Sequence, residues 1–390
     1  MDSTLMLNKV LNLDKTSWKL TKVGDLAKDI SKRVDNPGES EYDRFVGLGN
    51  FVSGDIKIKT WETTENLASS AKAFKAGDIL FARRNAYLRR ASLVDFDGCC
   101  SGDAFVLREN HDKIVPGFLA FLMNSNAIWD YANSNAAGTM SKRVKWRDLA
   151  EYEFLLPPKD QQVQLAKLLW AMDGVVEKEK EVLKELDNTY LTLVDNLFSK
   201  NKEDWKDYRL DKISSINSDS LNSKTDPDYE FQYLDLASII EPKVIGEMKI
   251  IKYNDAPSRA KRIVSNNSIV LAMVRPYQKA FAFVEIGKDI VASTGTAIIN
   301  MHDANFNRFV FHQFFSKKFT RYCEDRMSGT NYPAITPKDI QEYKVSIPND
   351  RKLINVEASK LDRLEQSSRS VKNKVENSQS LQKSLINQIF

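Results

Sequence analysis

Two stretches of the chain place apolar residues at steps of three and four along an otherwise charged background. The first, Gln161–Lys200, has one interior glycine (Gly174) and no proline. Its repeating apolar positions are Leu165, Leu168, Met172, Val175, Val182, Leu186, Leu193 and Leu197. The second, Arg351–Phe390, repeats the plan with Ile354, Leu361, Leu364, Val371, Val375, Leu381, Leu385 and Ile389, interrupted by Ser367, Ser368, Ser378 and Gln382. This periodicity predicts two long helices, each with an apolar stripe and a charged opposite face. Ahead of each, the pattern is mixed. Short β-type runs (Ile79–Ala82, Phe105–Leu107, Ile269–Val274, Ala280–Val284) sit between Gly, Asn and Asp breaks, and helical stretches follow at Pro116–Ala132 and Phe306–Arg326. Mixed segments of about 140 residues read as compact α+β domains.

The two halves are copies of one plan. Gly138–Pro157 aligns without a gap on Gly329–Pro348, sharing the Gly-Thr start, Asp148/Asp339, Glu151/Glu342, Tyr152/Tyr343 and Pro157/Pro348. Trp18-Lys opens the first half as Trp205-Lys opens the second. Ser101-Gly-Asp-Ala-Phe-Val resembles Thr294-Gly-Thr-Ala-Ile-Ile. A period of half the chain is a duplicated domain, not a solenoid. The expected organisation is a first globular domain over 1–156, a central helix over 157–204, a second domain over 205–347 and a terminal helix over 348–390. The first helix carries the chain from one domain to the other. The natural partner for the second is the first run backwards, an antiparallel coiled coil about 58 Å long at ~1.5 Å per residue. Two like globules held apart on such a rod, related by a pseudo-twofold axis, suit the reading of two DNA half-sites more than one helical turn apart.

The chain has 390 residues, 57 Lys plus Arg against 53 Asp plus Glu, and 42% hydrophobic residues. That composition excludes wholesale disorder. No apolar run is long enough to span a membrane, and the acidic start Met1-Asp2 is not a secretory signal. The three cysteines (Cys99, Cys100, Cys323) form no disulfide framework, and with three scattered histidines a zinc cluster is not expected. A cytoplasmic location follows as the default.

Candidate chemistry lies in basic, aromatic-bearing loops. Arg83, Arg84, Asn85, Tyr87, Arg89 and Arg90 fall in one run without an acid. Ser141, Lys142, Arg143, Lys145 and Trp146 fall in a second, beside Gly138. The comparable positions of the second half are Arg275, Tyr277, Gln278 and Lys279, then Thr330, Asn331 and Tyr332. Arg259, Lys261 and Arg262 add charge. Arginine suits both phosphate and the guanine edge, and an amide suits adenine, so these are the expected DNA-contacting residues. Any one such run is equally a solvated surface loop; their recurrence at matching repeat positions favours the DNA reading. Catalytic patterns are missing. There is no Asn/Asp-Pro-Pro-aromatic tetrapeptide. Gly49–Gly54 has Walker-like glycines, but Asp55 stands where the phosphate-binding lysine belongs. Asp228 followed by Glu241, Pro242 and Lys243 is a nuclease-like arrangement that proline would interrupt. The competing classes are a stand-alone DNA-modifying enzyme and a coiled-coil adaptor.

The order of these parts resembles the specificity subunit of type I restriction–modification enzymes. The resemblance is carried by the two recognition-like units, the Leu156–Gln162 run (Leu-Pro-Pro-x-x-x-Gln), the stretch Tyr42–Asn50, and the two long helices. It departs in the second half, where Ile347-Pro348-Asn349 has no glutamine matching Gln162. It implies a non-catalytic subunit whose two target recognition domains each read half of a bipartite sequence in double-stranded DNA. It also implies paired helices that set the spacing and dock two methyltransferase subunits, with restriction–translocation subunits completing the nuclease. S-adenosylmethionine, ATP and magnesium would then belong to the partners and not to this chain.

Overall fold

The structure, a computed structural model, describes residues 13–199, 203–241, 244–285 and 288–390. Its contacts divide the chain into two units, Met1–Glu181 with Lys372–Phe390, and Val182–Val371, so the division runs through both long helices.

The first unit is built on a four-stranded antiparallel sheet in the order Ala27–Asp29, Ala104–Glu109, Ile79–Ala82, Ala91–Leu93. Alternate residues of its strands enter different cores. Ile79, Phe81, Phe105 and Leu107 pack toward the helices, while Leu80, Ala104 and Val106 pack toward a second sheet. Burial on both faces is why these strands read as continuous apolar runs. The second sheet has five short strands, with Arg44–Val46 parallel to Gly98–Cys100. Lys19–Lys22 pairs with Glu153–Leu156 and so closes the globule just before the first long helix.

The second unit repeats this topology. Its four strands run Ser214–Ile216, Thr296–Met301, Ser268–Ala272, Phe281–Val284. Ile269 and Leu271 face one core, and Val270 faces the other. Glu230–Leu234 lies parallel to Ile290–Ser293 in the second sheet, and Trp205–Arg209 pairs with Lys344–Pro348. The strand register moves one repeat correspondence by a residue: Ala104 pairs with Ala82 as Thr296, not Ala297, pairs with Ala272.

The helical stretches at Pro116–Ala132 and Phe306–Arg326 are each broken in two. Leu119–Leu122 is followed by Asn126–Ser134, and Asn307–Gln313 by Lys317–Glu324. Serine decides both breaks. The hydroxyls of Ser125 and Ser316 accept from the amides of Ile128 and Phe319, a cap that starts a new helix instead of continuing the old one.

The two long helices are continuous over Lys159–Phe198 and Arg351–Ile389. Within each unit they run antiparallel. In the first, Leu165, Ala166 and Leu169 share a core with Leu385, Ile386 and Ile389; further along, Gln382 bonds Asp173 (3.1 Å). In the second, Tyr190, Val194 and Phe198 share a core with Leu361, Ala358 and Ile354, and Ser368 bonds Asp187 (2.6 Å). The buried stripe of the first helix is the expected one only in part: Leu165 is buried, and Met172 and Leu197 pack against the cores. Leu168, Val175, Val182 and Leu193 are exposed, and Leu169, Val176, Tyr190 and Val194 lie inside. The first helix carries two parallel apolar ridges, and the polar residues Asp173 and Gln382 sit in the buried seam.

Candidate nucleic-acid interface

Each unit stitches together two loops that are far apart in sequence. In the first, Val144 N–H donates to Arg83 O and Asn85 N–H to Lys142 O, both at 2.9 Å, around a bridge between Arg84 and Arg143. In the second, Ile335 N–H donates to Met273 O (3.0 Å) and Arg275 N–H to Pro333 O (2.8 Å), around a bridge between Val274 and Ala334. One loop of each pair is a single tight turn, Ala86–Leu88 or Pro276–Gln278, flanked by left-handed residues: Asn85 and Arg89, or Arg275 and Lys279. The other turns at a left-handed glycine, Gly138 (φ +121°) or Gly329 (φ +98°). Left-handed backbone costs a side-chain-bearing residue about 1–3 kcal/mol. Its recurrence at two matching positions, Asn85/Arg275 and Arg89/Lys279, marks both loop pairs as shaped for a task outside the core.

The structure sorts the expected contact residues. Tyr87 (68% exposed) and Met140 (97%) stand at the tips of the first pair, with Lys142 and Lys145 exposed beside them. Arg84 donates to the Ser141 hydroxyl at 3.1 Å. Arg89 is committed to the fold through Asn126 (2.7 Å) and Asp130 (2.8 Å), and Arg90 through Leu48 O (2.8 Å). Trp146 is half-buried, edge-on to Phe105 at 6.0 Å, so it is an anchor of the loop and not a free aromatic face. In the second pair Tyr277, Gln278, Thr330, Asn331 and Tyr332 are exposed. Arg275 lies 5.0 Å over the Tyr332 ring and donates to Asn331 O. Lys279 is spent on Phe315 O (2.9 Å). Arg259, Lys261 and Arg262 stand on or beside the strand Ala260–Val264, outside the stitched loops.

An acid that the sequence keeps apart from the basic runs organises the first loop pair. The Asp103 carboxylate accepts from Arg143 Nε (2.8 Å) and Nη2 (3.2 Å), with Arg84 at 3.7 Å and Arg83 at 3.9 Å. The bond from Arg143 holds Asp103 below the usual carboxylate range, and the charges of Arg83 and Arg84 add to it. Only the fold brings residue 103 beside residues 83 and 143; no local spacing announces it.

Other motifs resolve into structure. Gln162 is buried, its side chain accepting from Val115 N–H (2.9 Å) and donating to Pro157 O (2.8 Å), so it ties the helix start to the globule. In the second unit Gln313, bonded both ways to the Ser346 backbone, ties the helix Asn307–Gln313 to the strand Lys344–Pro348 that precedes the long helix. Asp55 is buried between Lys59 and Lys180, both at 2.7 Å, an ion network with no phosphate cradle. Asp228 is exposed and pairs with Lys252. Pro242 and Lys243 lie outside the described residues, as does the side chain of Glu241, and the expected helix end at Lys200 lies outside them too. Among the described residues, His312, Asp362 and Glu365 are the group with metal-ligand character. Arg308 already supplies its cation, with Nε on Asp362 (2.7 Å) and Nη2 on Glu365 (3.0 Å). Burial pushes the thiols up, Cys99 to about 11 and Cys100 and Cys323 to about 12, which leaves no reactive thiolate at neutral pH. No helix among the described residues is long and apolar enough to cross a membrane.

Residues 15–188 match the family model of the type I restriction modification DNA specificity domain. The chain is 24% identical over 218 residues to the type I restriction enzyme EcoDI specificity subunit of Escherichia coli, a match covering 54% of this chain and 48% of that one; the chain thus spans about half the length of this relative. Its fold is that of the crystallised type I restriction–modification S subunit from M. genitalium (TM-score 0.61, 14% identity, 97% and 98% of the two chains). It is shared by a chain from a structural study of complex assembly and conformational transition in the type I R-M system (TM-score 0.55, 19% identity, 96% and 97% covered).

Proposed function

We propose that this chain, whose residues 15–188 form a type I restriction modification DNA specificity domain and whose fold is that of the S subunits, reads a bipartite sequence in double-stranded DNA and carries no catalytic site of its own. The observation that carries the reading is the duplicated loop pair. Each unit holds arginine, amide and aromatic side chains on a strained backbone at the same place in the fold. Yet the side chains differ: Arg84, Ser141 and Arg143 in one, Arg275, Asn331 and Tyr332 in the other. A common frame with different side chains is what two unlike half-sites require.

In this reading the paired helices set the distance between half-sites, and their exposed ridge receives two methyltransferase subunits, which act on a flipped adenine. Restriction–translocation subunits complete the assembly. S-adenosylmethionine, ATP and magnesium are the partners' cofactors. A salt series of gel shifts on the assembled complex tests the reading. Retarded duplex whose affinity falls steeply as salt rises is expected; binding that ignores salt, or no binding, overturns it. The purified chain incubated alone with DNA, magnesium and S-adenosylmethionine is expected to leave the DNA unmodified and uncut.

A further inference from the structure

We propose that Asp103 is a positioning and discriminating residue of the first recognition unit: its carboxylate gathers Arg83, Arg84 and Arg143 into one cluster and sets that cluster against indiscriminate phosphate binding. The inference rests on the DNA-reading function above and goes beyond it. Three guanidinium groups lie within 4.0 Å of this one carboxylate. Left alone they would repel one another and splay. Asp103 holds them close, and Ser141 links Arg84 to the same loop that carries Arg143. The carboxylate is itself placed by backbone. Its residue sits in a turn where Asp103 N–H donates to the Ser101 hydroxyl (3.2 Å) and Asp103 O accepts from Arg83 N–H (3.0 Å).

The same carboxylate sets a bias. A phosphate approaching the three arginines meets a partly exposed negative charge. A guanine edge offers neutral acceptors and meets only the remaining N–H donors. Asp103 therefore costs backbone binding more than base reading, which raises the difference between right and wrong sequences. Among its described residues the second unit lacks the device. Gly295 occupies the matching place, since Met273 N–H donates to Gly295 O (2.9 Å) as Arg83 N–H does to Asp103 O. Arg275 is steadied by the Tyr332 ring and the Asn331 carbonyl instead. The two units therefore reach a fixed arginine by different chemistry, and among the described residues the first alone pairs it with a carboxylate that repels phosphate.

The test uses the full chain in its assembled complex. The probes are a duplex carrying the target mapped from host methylation, one with the first half-site scrambled and one with the second scrambled. For D103N, affinity for the first-half-scrambled duplex is expected to rise at least threefold, and the target-to-scrambled ratio to fall about tenfold. The slope of log affinity against log salt should steepen by about one, the mark of one added phosphate contact. Discrimination at the second half-site should not move, and D103E, which keeps the charge, should stay within threefold of the parent throughout. A merely structural role would instead weaken all three duplexes together. D103N with the parent's ratio and slope, in a complex that binds DNA, overturns this inference alone; a parent complex that binds no duplex overturns the function it rests on. If D103N melts about 10 °C or more below the parent, Asp103→Ser is read in its place against the same expectations.

Discussion

Arg143 joins the stitched loops of the first unit: it bonds Asp103, and its backbone pairs with both Arg84 and Ala137. Arg143→Ala removes a guanidinium from the cluster while the backbone bridges remain. It is expected to weaken DNA binding by about 1–3 kcal/mol with relaxed preference at one position of the first half-site. Titration of a labelled duplex checks this, and unchanged affinity and preference would contradict it. His312 is fully buried. Neutral imidazole satisfies both its neighbours: Tyr190 donates to Nδ1 (2.8 Å), and Nε2–H donates to Asp362 (2.8 Å). Burial, with the charge of Arg308, pushes His312 below the usual imidazole range. The unfolded chain takes up a proton near pH ~6.5 and the folded chain only at lower pH. Its share of stability is thus complete above about pH 6.5 and lost as pH falls through the lower folded value. Melting temperature is expected to drop between about pH 7 and pH 5, and less steeply in His312→Gln. Equal slopes for parent and variant would sink this assignment.

Among the elements, the long helices separate two apolar ridges that composition alone does not distinguish. Leu169 is fully buried and Leu168 is exposed. Leu169→Ala is expected to cost about 2–5 kcal/mol of stability and Leu168→Ala well under about 1 kcal/mol. Denaturant unfolding of the two variants decides, and comparable losses would contradict the observed seam. The sequence made the helices legible because forty-residue periodicity without proline has few alternatives. It made the strand Ile79–Ala82 legible to the residue. Ile354, Leu361, Val375, Leu385 and Ile389 of the second helix are buried as their spacing predicts, while most of the first helix's buried ridge stayed hidden because its choice depends on what packs against it. In the first unit the seam accepts Asp173 and Gln382 as a hydrogen-bonded pair, and no single-helix pattern foretells a polar pair completed by a residue about two hundred positions away. The candidate loops were legible as basic, aromatic runs at matching repeat positions. Asp103 was not, since its partners are local only after the sheet forms. Nor did composition show that Arg89, Arg90, Trp146 and Lys279 are spent on holding the loops in place.

For the whole molecule, duplication is the organising fact. One sheet order, one pair of stitched loops and one set of left-handed positions occur twice, while the side chains they present have diverged. Even the junctions with the long helices differ. In the first unit Phe121 packs edge-on against Trp170 at 4.7 Å, and Gly117 leaves room for that ring. In the second, Arg308 and His312 meet Asp362 and Glu365 in an ionic network. Copies that keep a frame and change their contacts suit two different targets, so on the proposed function recognition is modular. The most direct measurement replaces residues 18–156 with the matching unit of a relative and maps methylated adenines in DNA from cells carrying the parent or the exchanged chain. A bipartite target in which one half changes while the other half and the spacing persist is the predicted result; a target changed in both halves, or in neither, contradicts it.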